Sequence, residues 1–326
     1  MVAVNMLAEA IRSGRVSLGL AGGSESMSRP TLTLRHSAEK FFLKLARART
    51  MPDKIKALAS FKFSHLLPQA PSPKEPSTGL TMGEHCEIMA KEFGISRAAQ
   101  DALALQSHQH AAAAQSKGYL AEEIASLPGI DKDNIIRGDT TIERLSKLPA
   151  VFDRSPAGTL SAGNSSALTD GASVVCLMAE DRAKIEGRAI LGYIEETEFA
   201  AISPKDGLLM APAVAVPNLM KRAGLRIADI DLFEIHEAFA AQVLCNMHAW
   251  ERGWSKYPAA QAIGVIPPEK VNVNGGSLAL GHPFAATGGR LILAALSELR
   301  RRGKSKAAIS VCAAGAMGCA MLVSSR

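Results

Sequence analysis

The sequence predicts a layered α/β fold, and three observations support this prediction. The chain has 326 residues, of which 47% are apolar and only 5% aromatic, a balance typical of globular layers packed through small side chains. After Gly187, short apolar runs alternate with helical patterns, which favours a sheet covered by helices. Three turns that carry His or Cys among Gly and Ala lie near strand-like runs, where α/β sheets usually bind ligands.

Composition also excludes several classes of protein. Five cysteines are too few for a disulfide scaffold, and their spacing matches no zinc site. The apolar runs are much shorter than the about 20 residues that cross a bilayer. The first residues lack the basic region of a signal peptide. The sequence therefore predicts a reduced intracellular protein without a metal centre.

The first residues predict a helix followed by a strand. Apolar side chains among the first eleven residues recur at helical spacing, and Gly14 stands where that helix should end. No N-cap residue precedes this pattern, so the helix is already under way at the first residue. The apolar run Val16–Ala21 is predicted to be a buried strand, with Gly22 and Gly23 forming a sharp turn behind it.

Two helices and a second apolar segment are predicted next. Met82–Phe93 and Arg97–Lys117 have helical patterns, and Gly118 closes the second. Ala172–Ala179 is either a strongly apolar strand or a buried helix. The alternating strands and helices that follow are predicted at Ala189–Tyr193, Ala213–Ala223, Leu232–Ile235, Gly288–Arg301, Ala307–Val311 and Ala320–Val323.

One short segment carries the whole net charge of the chain. The formal charge is +6, and residues 35–62 hold eight bases among apolar side chains, against only Glu39 and Asp53. These bases are Arg35, Lys40, Lys44, Arg47, Arg49, Lys54, Lys56 and Lys62. The segment is either a solvated helical face or a surface for acidic groups such as phosphates, anionic lipid or an acidic partner. Nucleic acid is not expected, because no base-stacking motif or recognition helix accompanies the charge.

Three blocks of residues suit chemistry. His236 directly follows an apolar strand, His282 lies in a Gly-rich segment, and Cys312 follows another apolar strand. Taken alone, each has a structural explanation as a hydrogen-bonding histidine, a turn or a small buried cysteine. The Gly-rich segment has neither the GK[ST] ending of a phosphate loop nor the GxGxxG spacing of a dinucleotide site. Together, one Cys and two His on tight turns suit nucleophilic or acid/base chemistry.

These blocks resemble the signature motifs of the thiolase family. They match in order and spacing as HEAFA (236–240), NVNGGSLALGHPFAATGGR (272–290) and CAAGAMG (312–318). The segments GGSESMS (22–28), SAGNSS (161–166) and DGA (170–172) resemble further parts of the family, so that the match covers nearly the whole chain. The basic stretch, STGLTMG (77–83) and the His of HEAFA are most similar to the long-chain 3-ketoacyl-CoA thiolases, the β subunits of fatty-acid-oxidation multienzyme complexes.

The resemblance implies a thiolase-type fold, with two similarly built halves in αβαβα layers and an inserted loop domain. Residues 1–29 and 151–184 would be remnants of the first half, residues 30–150 the loop domain, and residues 185–326 an intact second half. The family's nucleophilic cysteine stands in a C-x-S-G motif that should end just before Met1, and the sequence lacks this motif. We therefore expect a chain truncated at its N-terminus, with an incomplete first half and poor solubility.

The resemblance also implies an activity, the thiolytic cleavage of 3-ketoacyl-CoA to acetyl-CoA and a shortened acyl-CoA in fatty acid β-oxidation. Cys312 would act as general acid/base on the acetyl carbon. His282 would activate the nucleophile and help to hold the substrate oxyanion, and His236 would complete the oxyanion site.

Further contacts and partners follow from the same resemblance. Ser166, Met82 and Phe239 would line the path of the pantetheine and the acyl chain. Coenzyme A would be a substrate, and no cofactor would be bound permanently. The chain would form a homodimer or tetramer, with a hydratase/dehydrogenase α subunit as a further partner and residues 35–62 as a peripheral membrane contact. Its location would be cytoplasmic in a bacterium or the mitochondrial matrix in a eukaryote.

Three other interpretations stay open. Without the nucleophile, the chain would be a non-catalytic protein that binds CoA or a partner. In a split enzyme, a second polypeptide would carry the nucleophile. A biosynthetic thiolase of the acetoacetyl-CoA type would share the same motifs, because these motifs report neither the direction of the reaction nor the acyl chain length.

Overall fold

The computed structural model describes residues 1–69, 74–258 and 260–325. The chain divides into two compact units. Met1–Glu25 together with Lys74–Arg326 form what we call the main unit, and Ser26–Pro73 form the basic unit. This division does not test the domain boundaries expected from the family resemblance, which stay predictions.

Strands and helices alternate through much of the main unit. The strands of the described chain are β1 Leu18–Glu25, β2 Thr33–Leu34, β3 Pro68–Gln69, β4 Gly171–Met178, β5 Tyr193–Ala201, β6 Leu232–Ile235, β7 Lys306–Ala313 and β8 Met317–Ser324. The α-helices are α1 Val2–Arg12, α2 His36–Arg47, α3 Met51–Leu58, α4 Met82–Glu92, α5 Arg97–Ser116, α6 Ile142–Ser146, α7 Glu180–Ile185, α8 Pro204–Gly207, α9 Pro212–Ala223, α10 Ala240–Arg252, α11 Ser277–Leu280 and α12 Phe284–Arg302. The elements β2, β3, α2 and α3 belong to the basic unit, and the others belong to the main unit.

A four-stranded sheet lies at the centre of the main unit, in the order β5-β8-β7-β6. β6 runs parallel to β7, whereas β8 is antiparallel to both β5 and β7. Every residue of β6 is buried, because α9 and α10 pack on one face of the sheet and α12 packs on the other. The parallel pair places the residues that follow β6 and β7 at the same end of the sheet.

A second sheet, formed by β1 and β4, adds a further layer. α1 and α12 pack on the face that carries the buried residues Ala21 and Val175. The opposite face carries Leu20 and Val174, which are 72% and 57% exposed. The main unit therefore consists of alternating layers of helices and sheets. This confirms the predicted layered α/β architecture.

Gly22 and Gly23 contradict one prediction. They lie inside β1, where both pair with residues of β4, and they form no turn. A Cβ atom on Gly22 would stand 2.4 Å from the carbonyl oxygen of Ser173, and a Cβ on Gly23 would stand 2.2 Å from that of Ala285. The glycines therefore permit a close backbone approach to β4 and α12, which the sequence alone does not distinguish from a turn.

The strand predicted at Ala189–Tyr193 is also wrong. β5 begins at Tyr193 and continues to Ala201 through three glutamates. None of its residues is fully buried, and Glu196 and Glu198 form ion pairs with the half-exposed Arg222, so this strand accepts polar residues on its solvent side. The other predicted helices and strands each overlap an observed element, and Ala172–Ala179 contains a strand, β4.

The basic unit has a small aromatic centre. The ring of Phe41 lies 5.1 Å from that of Phe42 and 5.3 Å from that of Phe61. Phe41 and His65 are buried, whereas all eight bases of residues 35–62 are exposed. Among the described residues, no helix of either unit is long and apolar enough to cross a membrane.

Candidate active site

The two histidines of the sequence motifs meet at one end of the four-stranded sheet. His236 directly follows β6, and its backbone N–H donates to the Ser310 carbonyl of β7 at 2.8 Å. His282 lies just before α12, and its backbone N–H donates to the Ala167 carbonyl at 2.9 Å. The centroids of the two imidazole rings are 4.1 Å apart. The fold thus brings together two side chains that the sequence places on separate turns.

His236 is a buried, neutral imidazole. The residue is 1% exposed, and its Nδ1 lies 2.9 Å from the Ser277 Oγ. Its Nε2 has no hydrogen-bond partner among the described residues. Burial, assisted by the neighbouring His282 and Arg290, lowers the pKa of His236 well below its ordinary value. One ring nitrogen therefore keeps an unused hydrogen-bonding capacity.

His282 is arranged as a proton acceptor. Its Nδ1 lies 2.7 Å from the Thr287 hydroxyl, which also donates to the Pro283 carbonyl at 3.4 Å. The tautomer with its proton on Nδ1 donates to the Thr287 oxygen and leaves Nε2 as an acceptor. Burial, followed by the charge of Arg290, lowers the pKa of His282 to about 4. At neutral pH the ring is therefore uncharged.

Cys312 lies on β7 and is 6% exposed. It belongs to a buried apolar cluster that also contains Cys86 and Cys245. Burial raises the pKa of Cys312 to about 12, so its thiol holds a proton at neutral pH. Acid/base chemistry at this thiol therefore requires a neighbouring group that stabilises the thiolate once substrate is bound.

The predicted substrate contacts approach the same cluster. Met82 and Phe239 are partly buried and pack against it, together with Phe152. The rings of Phe152 and Phe239 meet edge to face at 5.7 Å. The backbone N–H of Ser166 donates to the Ala238 carbonyl at 3.0 Å. The structure therefore places all three predicted residues near the HEAFA segment or the Cys312 cluster, while their contact with substrate stays a prediction.

A buried carboxylate, not selected from the sequence, organises this region. Glu237 is 1% exposed and accepts hydrogen bonds from the Ser107 hydroxyl at 2.7 Å, the Asn272 Nδ2 at 2.5 Å and the Leu278 backbone N–H at 3.1 Å. Burial raises the pKa of Glu237. Its three donors come from α5, from the loop after α10 and from α11. Glu237 therefore joins three distant segments beside His236.

Asn272 and Gly276 fit tightly around this carboxylate. The Asn272 Oδ1 accepts from the Ile235 N–H at 2.8 Å, and its Nδ2 donates to the Ile235 carbonyl at 2.9 Å. Asn272 itself has a φ of 43°, a conformation that Asn tolerates better than most residues. A Cβ on Gly276 would stand 2.2 Å from the Glu237 carboxyl carbon. Glu237, Asn272 and Gly276 belong to the quoted sequence motifs, which is the signal that could have identified them.

Comparison with known proteins agrees with this arrangement. Residues 188–325 match the family model described as thiolase, C-terminal domain, and residues 1–181 match that for the thiolase N-terminal domain. The chain is 44% identical over 330 residues to a 3-ketoacyl-CoA thiolase of Yersinia enterocolitica, covering 98% of this chain and 76% of that protein. It is also 44% identical over 328 residues to a 3-ketoacyl-CoA thiolase of Photobacterium profundum, covering 97% and 74%. The chain belongs to the thiolase family.

Solved structures extend the likeness to the fold. The human mitochondrial 3-ketoacyl-CoA thiolase in complex with CoA aligns with a TM-score of 0.81 at 29% identity, covering 100% of this chain and 75% of that one. The acetyl-CoA acetyltransferase of Bacillus anthracis aligns with the same TM-score at 30% identity. The predicted thiolase-type α/β fold is confirmed. The comparisons do not support the expected truncation and do not show that the nucleophilic cysteine is absent.

Proposed function

We propose that this chain catalyses the thiolytic cleavage of 3-ketoacyl-CoA to acetyl-CoA and a shortened acyl-CoA. The proposal rests on the two neutral histidines, His236 and His282, whose ring centroids are 4.1 Å apart. They lie at the end of the sheet where His236 follows β6 and where β7 carries Cys312. The relatives named above are 3-ketoacyl-CoA thiolases. Coenzyme A would be the second substrate, and the reaction needs no permanently bound cofactor.

Each residue has a role that its geometry supports. The nucleophilic cysteine, which no residue of the three sequence motifs supplies, would give its thiol proton to the unprotonated Nε2 of His282 and attack the 3-keto carbon as the thiolate. The bond between the second and third carbons then breaks, and its electron pair forms the enolate of acetyl-CoA. Cys312 would give its proton to the enolate carbon. The unpartnered Nε2 of His236 would donate to the thioester oxygen, on which the enolate charge develops.

The second half of the reaction regenerates the enzyme. The thiol of incoming CoA would attack the acyl-cysteine, and the acyl group would pass from the enzyme sulfur to the CoA sulfur. The Cys312 thiolate left by the first half would take up the CoA proton, and His282 would return its proton to the nucleophilic cysteine as that sulfur leaves the acyl group. The apolar wall of Met82, Phe152 and Phe239 supports an acyl path along this route.

A direct assay tests the activity. The purified chain is mixed with a 3-ketoacyl-CoA and CoA, and the formation of acetyl-CoA is measured. We expect turnover, and we expect His282→Asn to lower kcat about 100- to 1000-fold, as the loss of a group that stabilises the transition state does. His36→Asn is the matched control, because His36 is exposed in the basic unit. Folded wild-type protein that produces no acetyl-CoA would overturn the proposal.

A non-catalytic role is the second candidate, and the cysteines favour it. The sequence has no C-x-S-G segment. Burial raises the pKa of four cysteines, Cys86, Cys245, Cys312 and Cys319, so burial keeps these thiols protonated. Calorimetric binding of CoA without any turnover would support a CoA-binding protein. Turnover that appears only after a second polypeptide is added would instead support a split enzyme.

The basic unit supports a peripheral contact with anionic lipid. All eight bases of residues 35–62 are exposed. Phe63, Ile55 and Leu66 are exposed beside them, by 84%, 62% and 60%. Apolar side chains among bases are typical of helices that lie in a lipid headgroup layer. The homodimer or tetramer, the hydratase/dehydrogenase α subunit and the cellular compartment stay predictions.

A further inference from the structure

His236 is connected to Arg290 through a single hydroxyl group. The Arg290 Nη2 donates to the Ser277 Oγ at 2.9 Å, and the same Oγ lies 2.9 Å from the His236 Nδ1. Ser277 begins α11 and is fully buried, and Arg290 lies in α12. A continuous line of contacts thus leads from α12 through α11 to the imidazole ring.

The direction of these hydrogen bonds follows from the chemistry of the three groups. A guanidinium only donates, whereas a serine hydroxyl has one proton and two acceptor positions. Since the Ser277 oxygen accepts from Arg290, the hydroxyl proton is left to donate, and the His236 Nδ1 is the acceptor that it contacts. With a proton on Nδ1 instead, the buried hydroxyl proton would lose that acceptor, which is a costly arrangement.

We infer that Ser277 and Arg290 are positioning residues that fix the proton of His236 on Nε2. Because Nε2 is buried and has no partner among the described residues, its N–H is a donor held ready for a ligand oxygen. His282 contacts the Thr287 hydroxyl through its Nδ1. The two adjacent rings are tilted by 47°, and the Nε2–H of His236 thus lies beside the imidazole of His282. A hydrogen bond from this donor to a thioester oxygen rests on the proposed function, whereas the position of the proton on His236 does not.

Nitrogen-15 NMR of the histidine-labelled chain tests the position of the proton directly. The chemical shifts of the two ring nitrogens distinguish a protonated from an unprotonated atom, and the signals that vanish in His236→Gln assign the residue. We expect Nε2 to be protonated and Nδ1 to be unprotonated in the wild type. We expect Ser277→Ala to yield a mixture of the two tautomers, and Ser277→Thr to keep the wild-type tautomer, because threonine retains the hydroxyl.

Kinetics provide the second measurement. We expect Ser277→Ala to lower kcat about 10- to 100-fold, less than the loss of an oxyanion donor itself, while KM changes less than about twofold, since the donor acts mainly in the transition state. Arg290→Lys retains a donor to Ser277 and should keep more of kcat than Arg290→Gln. A merely structural role would lower the folded fraction and leave the tautomer of the folded protein unchanged.

The outcomes separate this inference from the proposed function. A proton on Nδ1 in the wild type, or an unchanged tautomer in Ser277→Ala, would overturn the inference even in an active enzyme. A proton on Nε2 in a chain without turnover would support the inference and overturn the proposed activity. If Ser277→Ala fails to fold, the wild-type spectrum together with Arg290→Gln decides the question.

Discussion

Polar side chains have opposite surroundings in the two units of this chain. In the main unit, His236, Glu237 and Asn272 are at most 3% exposed, and each contacts polar groups of another segment. In the basic unit, all eight bases of residues 35–62 are exposed to solvent. The motif residues therefore owe their geometry to buried hydrogen bonds, whereas the charges of the basic unit are available to an external surface.

The largest expected effect concerns the buried carboxylate. Glu237→Ala removes the acceptor of three buried donors, each of which is costly to leave unpaired. We expect the free energy of unfolding to fall by about 3–5 kcal/mol, measured by urea denaturation. Glu39→Ala is the control in the basic unit, where the exposed side chain should change stability by no more than about 0.5 kcal/mol. Equal losses of stability in both variants would contradict the stabilising role of the buried hydrogen bonds of Glu237.

A smaller effect concerns the pH dependence of stability. The pKa of His282 is about 4 in the folded chain, against an ordinary value of 6.5. Below pH 6.5 the unfolded chain therefore takes up a proton that the folded chain takes up only near pH 4. The resulting stabilisation is complete above pH 6.5 and is lost as the pH falls toward 4, by about 3 kcal/mol in total.

The measurement is urea denaturation between pH 7 and pH 4 for the wild type and His282→Gln. The variant should lose less stability over this range, because it has no imidazole to protonate. His36→Gln, in the basic unit, serves as the matched substitution. Parallel curves for the wild type and His282→Gln would mean that the His282 imidazole is not buried as described.

The smallest expected effect per residue is a loss of binding to anionic vesicles by the basic unit. The variant that tests it has Lys40, Lys44, Arg47 and Arg49 all replaced with Gln. We expect each replacement to weaken binding to vesicles that contain phosphatidylserine by about 1 kcal/mol, the value of a base near an anionic membrane. Co-sedimentation measures the loss, and CoA binding should be unchanged.

A matched control neutralises four exposed bases of the main unit. These are Lys132, Lys147, Lys205 and Lys221, all replaced with Gln. If this control loses as much vesicle binding as the first variant, the attraction arises from net charge and not from the basic unit. Neutral phosphatidylcholine vesicles show how much of the binding is apolar. If the first variant binds phosphatidylserine vesicles as well as the wild type does, the proposed lipid contact is wrong.

The sequence predicts the fold class well, because periodicity reports which side of an element is buried. It fails where contacts between distant segments decide the structure. Gly22 and Gly23 suggest a turn, yet they serve a close approach to Ser173 and Ala285, about which local sequence carries no information. β5 is missed because its residues stay partly exposed, and such a strand tolerates glutamates that a buried strand would exclude.

The candidate site, like the fold, is only partly predictable from the sequence. His236, His282 and Cys312 are identifiable because unusual residue types stand on Gly-rich turns. The network behind them is not, since Ser107 reaches Glu237 across 130 positions of the chain. Arg290 lies inside the quoted motif, but only the structure shows that it contacts His236 through Ser277. Residue type thus identifies the reacting groups, and tertiary structure identifies what orients them.

The order of strands in the central sheet has a consequence for folding on the ribosome. β8 is the last strand of the described chain, yet it lies between β5 and β7. Neither neighbour can complete its pairing until residues 317–324 have been synthesised. Until then β5 and β7 present open edges, which invite aggregation and chaperone binding. The turns that carry His236 and Cys312 are therefore fixed only after residues 317–324 have joined the sheet.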